Sequence, residues 1–169
     1  MTYTSAQANK LLKKLNDEHA ALLDKENRSK DFRAAMGEDV ESVRPVYDYA
    51  NTQKKLAELE QRIRKVKHAI NVFNATHVIP DFGMTIDEML VYIPQLTQRK
   101  NKLADMKARL PKQRVDEQYG RQSNIIDYSY ANYDLAAVEA DYEKVSDELS
   151  HAQLALDAVN QRDTFELTE

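Results

Sequence analysis

Apolar residues recur at alternating steps of three and four along four long stretches of the chain. The clearest run consists of Leu135, Val138, Tyr142, Val145, Leu149, Ala152, Leu156 and Val159. A second run consists of Leu56, Leu59, Ile63, Val66, Ile70 and Phe73. This spacing places an apolar stripe along one side of a helix, as in coiled coils and helix bundles. The pattern predicts a mainly α protein, an antiparallel bundle of long heptad-patterned helices.

Capping and turn signals set the limits of these helices. The four predicted helices span about 6–26, 45–75, 86–110 and 135–162. Ser5 is a suitable N-cap for the first, Pro45 fits the first turn of the second, and Thr85 with Glu88 forms a capping box before the third. The tail beyond Asp163 is expected to fray. At 169 residues the whole chain, 1–169, is expected to form a single helical domain.

A second periodicity interrupts the helical one. Tyr128 and Tyr130 alternate with polar residues, which predicts a short strand over about 124–131. A strand needs a partner for its backbone groups, and the segment over about 30–36 is the best candidate. The polar segment 112–124 is predicted to be a loop. The expected result is a small two-stranded β-ribbon at one end of the bundle.

Composition excludes several classes of function. The sequence contains no Cys and only three Gly, so a disulfide, a thiolate nucleophile and a Gly-rich phosphate loop are all excluded. No N-terminal stretch resembles a signal peptide, and no apolar run approaches the roughly 18–20 residues of a membrane span. We therefore expect a cytoplasmic protein without a membrane partner. No cofactor is predicted.

Charge is distributed unevenly despite a formal net charge of −4. Residues 97–121 carry a net charge of +5, and residues 127–169 carry −9. Two neighbouring helices with complementary faces explain this asymmetry and are the favoured interpretation. The alternative is a nucleic-acid-binding or adaptor protein that uses the basic residues at 62–67 and 99–121 of the second and third predicted helices.

Candidate catalytic and metal-binding residues are few. Glu148 and His151 have the E-x-x-H spacing found in di-iron and di-manganese helix bundles, but such a site needs a second E-x-x-H step, and the sequence has none. No metal site and no catalytic group are therefore predicted. Loose Ser, His and Asp residues without a G-x-S-x-G turn do not indicate a hydrolase.

One polar segment stands out at the end of the second predicted helix. Asn71 and Asn74 lie three residues apart on one helix face, and Thr76 and His77 follow. Such side chains can satisfy the last carbonyls of a helix and stabilise the following turn, which is the favoured interpretation. The alternative is a polar site for a substrate or small ligand, which would make the protein an enzyme or a binding protein.

The same segment resembles a known group of proteins. The matching residues are Asn71, Asn74, Ala75, Thr76, Gly83, Thr85, Ile86, Glu88 and Leu90. In this motif, and in the order of the later strand and last helix, the chain is similar to the septicolysin-like family of small bacterial helical proteins. The resemblance implies a helical fold with a small β-ribbon and self-assembly, and it implies no established activity.

The leading hypothesis is a non-enzymatic helical self-assembling or scaffold protein. Its regular heptads favour partner helices from another copy, so a homo-oligomer is expected. The residues predicted to form the contact between copies are Leu56, Ile63, Ile70, Leu149 and Leu156.

Overall fold

The computed structural model describes residues 1–115 and 126–167 of the chain. The helices are α1 (Ser5–Ser29), α2 (Val40–Val43), α3 (Tyr49–Thr76), α4 (Ile86–Lys107) and α5 (Leu135–Arg162). The strands are β1 (Thr2–Thr4), β2 (Val78–Ile79), β3 (Met84–Thr85), β4 (Lys112–Arg114), β5 (Tyr128–Tyr130) and β6 (Thr164–Glu166). The prediction of a mainly α fold with a small amount of β structure is confirmed.

The chain divides into two compact units. Unit 1 comprises Met1–His77 and Ala158–Glu169, and unit 2 comprises Val78–Asp157. In unit 1, α1 and α3 run antiparallel, because His19 near the middle of α1 meets Glu60 near the middle of α3 and Glu26 farther along α1 meets Gln53. Its buried core is formed by Ala8, Leu15, Val66, Ile70 and Leu167.

Unit 2 contains a second helical hairpin. Tyr92 near the start of α4 reaches Glu148 in α5, and Lys107 at the end of α4 reaches Glu139, so these helices also run antiparallel. The buried apolar residues of this unit are Ile79, Ile86, Met89, Leu96, Leu103, Val138, Val145, Leu149, Ala152 and Leu156. The apolar stripes read from the sequence therefore face inward along both helices of the hairpin.

Side-chain caps decide where the helices begin, and two predicted starts are wrong. The helix predicted from residue 45 begins at Tyr49, because the Asp48 carboxylate accepts a hydrogen bond from the Asn51 backbone N–H. The N-cap of α1 is Thr4 rather than Ser5, and Thr4 forms a capping box with its third following residue. The helix predicted to reach residue 110 ends at Lys107, since Pro111 follows closely and cannot continue it.

The Thr85–Glu88 capping box predicted for α4 is present. The Thr85 hydroxyl oxygen accepts from the Glu88 N–H at 3.2 Å, and the Glu88 carboxylate accepts from the Thr85 N–H at 2.7 Å. The Thr85 N–H and hydroxyl both donate to the Glu88 carboxylate, and these two bonds lower the pKa of Glu88. The prediction succeeded because a capping box is complete within four consecutive residues.

The predicted ribbon has a different partner strand. The strand expected over 124–131 is present as β5, with residues 124–125 outside the described part of the chain. It pairs antiparallel with β4, inside the segment predicted to be a loop, and the segment 30–36 forms no strand. A turn occupies the region after residue 34, where Glu38 bonds back to Ala35 and Gly37 takes a positive φ of 85°. Nearness in sequence favours the β4–β5 hairpin, because closing a shorter loop costs less entropy.

The chain ends form another strand pair. Strand β1 pairs antiparallel with β6, with Tyr3 opposite Phe165. Leu167 follows β6 and is buried in the core of unit 1. The expectation that the tail beyond Asp163 frays is therefore wrong, because alternate tail residues are apolar and pack inward. The strands β2 and β3 form a third small pair in unit 2.

Candidate functional site

The predicted polar segment lies at the end of α3, where His77 is the C-cap residue. Its ring nitrogen Nε2 lies 2.7 Å from an oxygen of Asp163, which directly follows α5. The His77 ring stacks on Phe73 at 4.6 Å between centroids, and Phe73 stacks on Phe165 at the same distance. These four side chains, hereafter the His77 cluster, bring α3, the end of α5 and β6 together within unit 1.

The electrostatics of the His77 cluster centre on Asp163. Its carboxylate accepts a hydrogen bond from Arg162 Nε at 2.9 Å on one oxygen and faces His77 with the other. The hydrogen bond from Arg162 lowers the pKa of Asp163 most, and the contact with His77 lowers it further. Burial opposes this shift but does not cancel it. The carboxylate is therefore ionised at neutral pH and acts as the fixed acceptor of the cluster.

The other members of the predicted polar site do not join this cluster. The Thr76 hydroxyl donates to the Val72 carbonyl one turn earlier. Asn71 is exposed, whereas the side-chain oxygen of Asn74 is buried without a hydrogen-bond partner in the described chain. The Thr76 hydroxyl and the His77 backbone N–H each donate to a carbonyl of the last turns of α3. Of the four residues, His77 is the one whose side chain meets a charged partner in the described part of the chain.

Sequence reasoning missed Asp163 and Phe165. Neither lies near His77 in sequence, since 86 residues separate His77 from Asp163. The available signal was the alternation of apolar Phe165 and Leu167 with polar residues, which indicates a short strand. That alternation covers too few residues to be distinguished from a frayed tail by pattern alone.

A second cluster of polar and aromatic side chains lies in unit 2. The Tyr92 hydroxyl donates to Glu148, which raises the pKa of Tyr92. Phe82 contacts the rings of both Tyr92 and His151, and His151 Nε2 lies 3.8 Å from Asp81. The Glu148–His151 step is thus engaged by neighbouring side chains. Within residues 1–115 and 126–167, there is no group of three or more His, Asp or Glu side chains that could hold a metal ion.

A third site of polar contacts lies beside a surface cavity of about 190 Å³ in unit 1. Glu26 of α1 accepts hydrogen bonds from Tyr47 and from Gln53 Nε2, at 2.5 and 2.7 Å. The bond to this carboxylate raises the pKa of Tyr47. The cavity lies where the segment before α3 crosses the end of α1, and these bonds fix that crossing.

The residues predicted to form the contact between copies lie mostly in the interior of the single chain. Leu56, Ile70, Leu149 and Leu156 are buried within the chain itself, and Ile63 is half-buried against the core of unit 1. These side chains therefore offer little surface to a second copy.

The basic residues of α4 are partly engaged by the acidic residues of α5. Lys107 Nζ lies 3.0 Å from Glu139 and 3.6 Å from Glu143, and these carboxylates raise the pKa of Lys107. Lys107 and Lys100 also lie over the Tyr142 ring, at 5.0 and 5.8 Å from its centroid. This matches the interpretation of two neighbouring helices with complementary faces. Arg121, which contributed to the basic segment, lies outside the described residues.

Within residues 1–115 and 126–167, no helix is both long enough and apolar enough to cross a membrane.

Comparisons with known proteins show similarity in fold. The chain matches no protein-family model, and no curated protein is significantly similar to it. The structure is similar to the crystal structure of a functionally unknown conserved protein from Corynebacterium diphtheriae. The two share 16% sequence identity with a TM-score of 0.60, over 98% of this chain and 100% of that chain. The likeness shows the fold alone, and the septicolysin-like resemblance stays a prediction.

Proposed function

We propose that this protein is a non-enzymatic helical self-assembling protein, and that a second copy covers exposed apolar side chains of the α4–α5 hairpin. The observation that carries this proposal is the exposure of apolar side chains on both helices of that hairpin, at Leu90, Val91 and Leu154. Covering these side chains with another copy would remove apolar area from water, and this stabilises association.

Apolar side chains mark where such a contact would form. Leu90 and Val91 are exposed near the start of α4, and Leu154 is 69% exposed near the end of α5. In an antiparallel hairpin the start of one helix and the end of the other lie at the same end. Covering these three side chains would contribute about 3 kcal/mol to association.

The polar clusters support a structural rather than a catalytic role. The His77–Asp163 pair, Glu26 and the Tyr92–Glu148 pair each join two segments of the chain through direct hydrogen bonds. The His77 ring is also held by stacking on Phe73. Each of these groups contributes to fixing one element against another.

The test is the mass of the full chain in solution, measured by native mass spectrometry and sedimentation equilibrium. We expect the wild-type protein to give a defined multiple of the chain mass, and Leu154→Lys or Leu90→Lys to shift it towards the monomer. Ala140→Lys, which adds the same charge at another exposed position of α5, is the matched control and should leave the mass unchanged. A wild-type protein that is monomeric at every concentration would overturn the proposal.

A further inference from the structure

The β4–β5 ribbon places two cations and two aromatic rings on one face. Lys112 lies directly opposite Tyr130, and Arg114 lies directly opposite Tyr128. Residues two apart in a strand point to the same side, so all four side chains share one face. We refer to Lys112, Arg114, Tyr128 and Tyr130 as the ribbon face.

The ribbon face is open to solvent. All residues of β4 and β5 are exposed, and the Tyr128 and Tyr130 side chains remain 46% and 62% accessible. Lys112 Nζ lies 4.1 Å from the centre of the Tyr128 ring and 5.5 Å from that of Tyr130, so cation and rings are already held together. Within the described part of the chain, neither Lys112 nor Arg114 forms an ion pair with a carboxylate.

A surface cavity lies beside the β4–β5 ribbon. It has a volume of about 260 Å³, and its lining includes Tyr130 together with Arg109, Gln113 and Asn132. Gln113 lies between Lys112 and Arg114 in β4, so its side chain points to the opposite side of the ribbon. The cavity is therefore not part of the ribbon face.

The groups of the ribbon face match the chemistry of a single-stranded nucleic acid. Two rings at alternate positions of a strand lie about 6.6 Å apart along it, and exposed rings on a sheet stack unpaired bases. The neighbouring cations fit the phosphates that link those bases. We propose that the ribbon face binds single-stranded nucleic acid, with bases on Tyr128 and Tyr130 and phosphates on Lys112 and Arg114.

Duplex nucleic acid and an acidic protein surface would each contact the cations of the ribbon face but not its rings. A duplex keeps its base faces stacked internally, so it would engage the cations but not the rings. An acidic surface of a second copy would likewise need the cations alone. The inference is independent of the proposed self-assembly, because the apolar side chains of Leu90, Val91 and Leu154 belong to other elements.

The first experiment measures binding of the full chain to labelled oligouridylate and oligothymidylate of about twelve nucleotides, by fluorescence anisotropy. Tyr128→Leu and Tyr130→Leu should each weaken binding about tenfold, since stacking of one base is lost. The corresponding Tyr→Phe variants retain the ring and should bind like the wild type. A matched duplex should compete poorly.

A salt titration tests the phosphate contacts separately. Removing both cations with Lys112→Gln and Arg114→Gln should reduce the slope of log affinity against log salt by about 1.4, because each phosphate contact to a single strand contributes about 0.7. The control is Lys13→Gln with Lys14→Gln, which removes two exposed cations from α1 and should leave the slope unchanged.

Three results would overturn the inference. The first is a wild-type protein that binds neither oligonucleotide at low salt. The second is equal binding by the wild type and the Tyr→Leu variants, with far-ultraviolet circular dichroism showing that both are folded. The third is a fall in solution mass of the Tyr→Leu variants without a change in nucleic-acid binding, which would make the ribbon face a contact between copies.

Discussion

Two leucines of α5 distinguish a side chain that stabilises the single chain from one available to a second copy. Leu149 is 7% exposed, whereas Leu154, five residues later in the same helix, is 69% exposed. Substitution by Ala removes the same atoms at both positions, and Ala favours the helix at both. We expect Leu149→Ala to destabilise unit 2 strongly and Leu154→Ala to have almost no effect on its free energy of unfolding.

The size of the effect at Leu149 follows from its burial. Leu→Ala removes three carbon atoms, which at about 0.8 kcal/mol for each buried methylene accounts for about 2.4 kcal/mol. The cavity left behind adds to this, so the expected loss is about 3 kcal/mol, within the range measured for buried Leu→Ala changes. For a unit of this size, such a loss lowers the melting temperature by about 12–24 °C. At Leu154 the loss should stay below about 0.5 kcal/mol.

The assay is urea unfolding followed by circular dichroism, repeated at two protein concentrations. At concentrations where the chain is monomeric the midpoint does not depend on concentration, and the measured free energy then belongs to the single chain. The solution mass of each variant is measured in parallel, and Leu149→Ala should assemble like the wild type. If Leu149→Ala kept wild-type stability and became monomeric, Leu149 would lie between copies. Its burial would then not stabilise the single chain.

Further predictions concern the polar contacts. Asp163→Asn should lower the free energy of unfolding by about 1–2 kcal/mol at neutral pH, because a charged acceptor is lost. Since Arg162 lowers the pKa of Asp163 in the folded chain, this contribution is present above the ordinary carboxyl pKa of about 3.9 and is lost as the pH falls through the lower folded value. The difference between Asp163→Asn and the wild type should therefore narrow under acid conditions, and a constant difference in urea unfolding between neutral and acid pH would contradict this. Thr85→Ala should cost about 1 kcal/mol through loss of the α4 cap, whereas Thr97→Ala inside the same helix should cost less, and equal losses in thermal melts would argue against the cap. In an ultraviolet titration, Tyr92→Phe should remove a phenol that ionises at higher pH than an ordinary tyrosine, and an unchanged high-pH region would show that this phenol is not shifted.

The sequence predicted best what is decided by neighbours along the chain. The stripe from Val138 to Val159 and the Thr85–Glu88 capping box need only residues within a few turns, and both are present in the structure. The alternation in β5 was also visible. Its partner β4 was not, because a strand exposed on both faces has no apolar residues to alternate.

The candidate site was predicted only in part, for a related reason. The position of His77 at a helix end follows from local sequence, but its partner Asp163 comes from the far end of the chain. No periodicity links two residues with that separation. The sequence pattern also could not predict that Leu56 and Ile70 are buried within the single chain. A heptad stripe looks the same whether it faces a helix of its own chain or a helix of another copy.

The pairing of β1 with β6 has a consequence for the order in which the protein folds. The backbone of Leu167 donates to Met1, and Leu167 completes a core that otherwise consists of residues from α1 and α3. During synthesis, α1 and α3 leave the ribosome long before that residue does, whereas unit 2 is continuous in sequence. Unit 2 is therefore able to finish folding before β6 is made, and the core between α1 and α3 is closed only after β6 and Leu167 have been added.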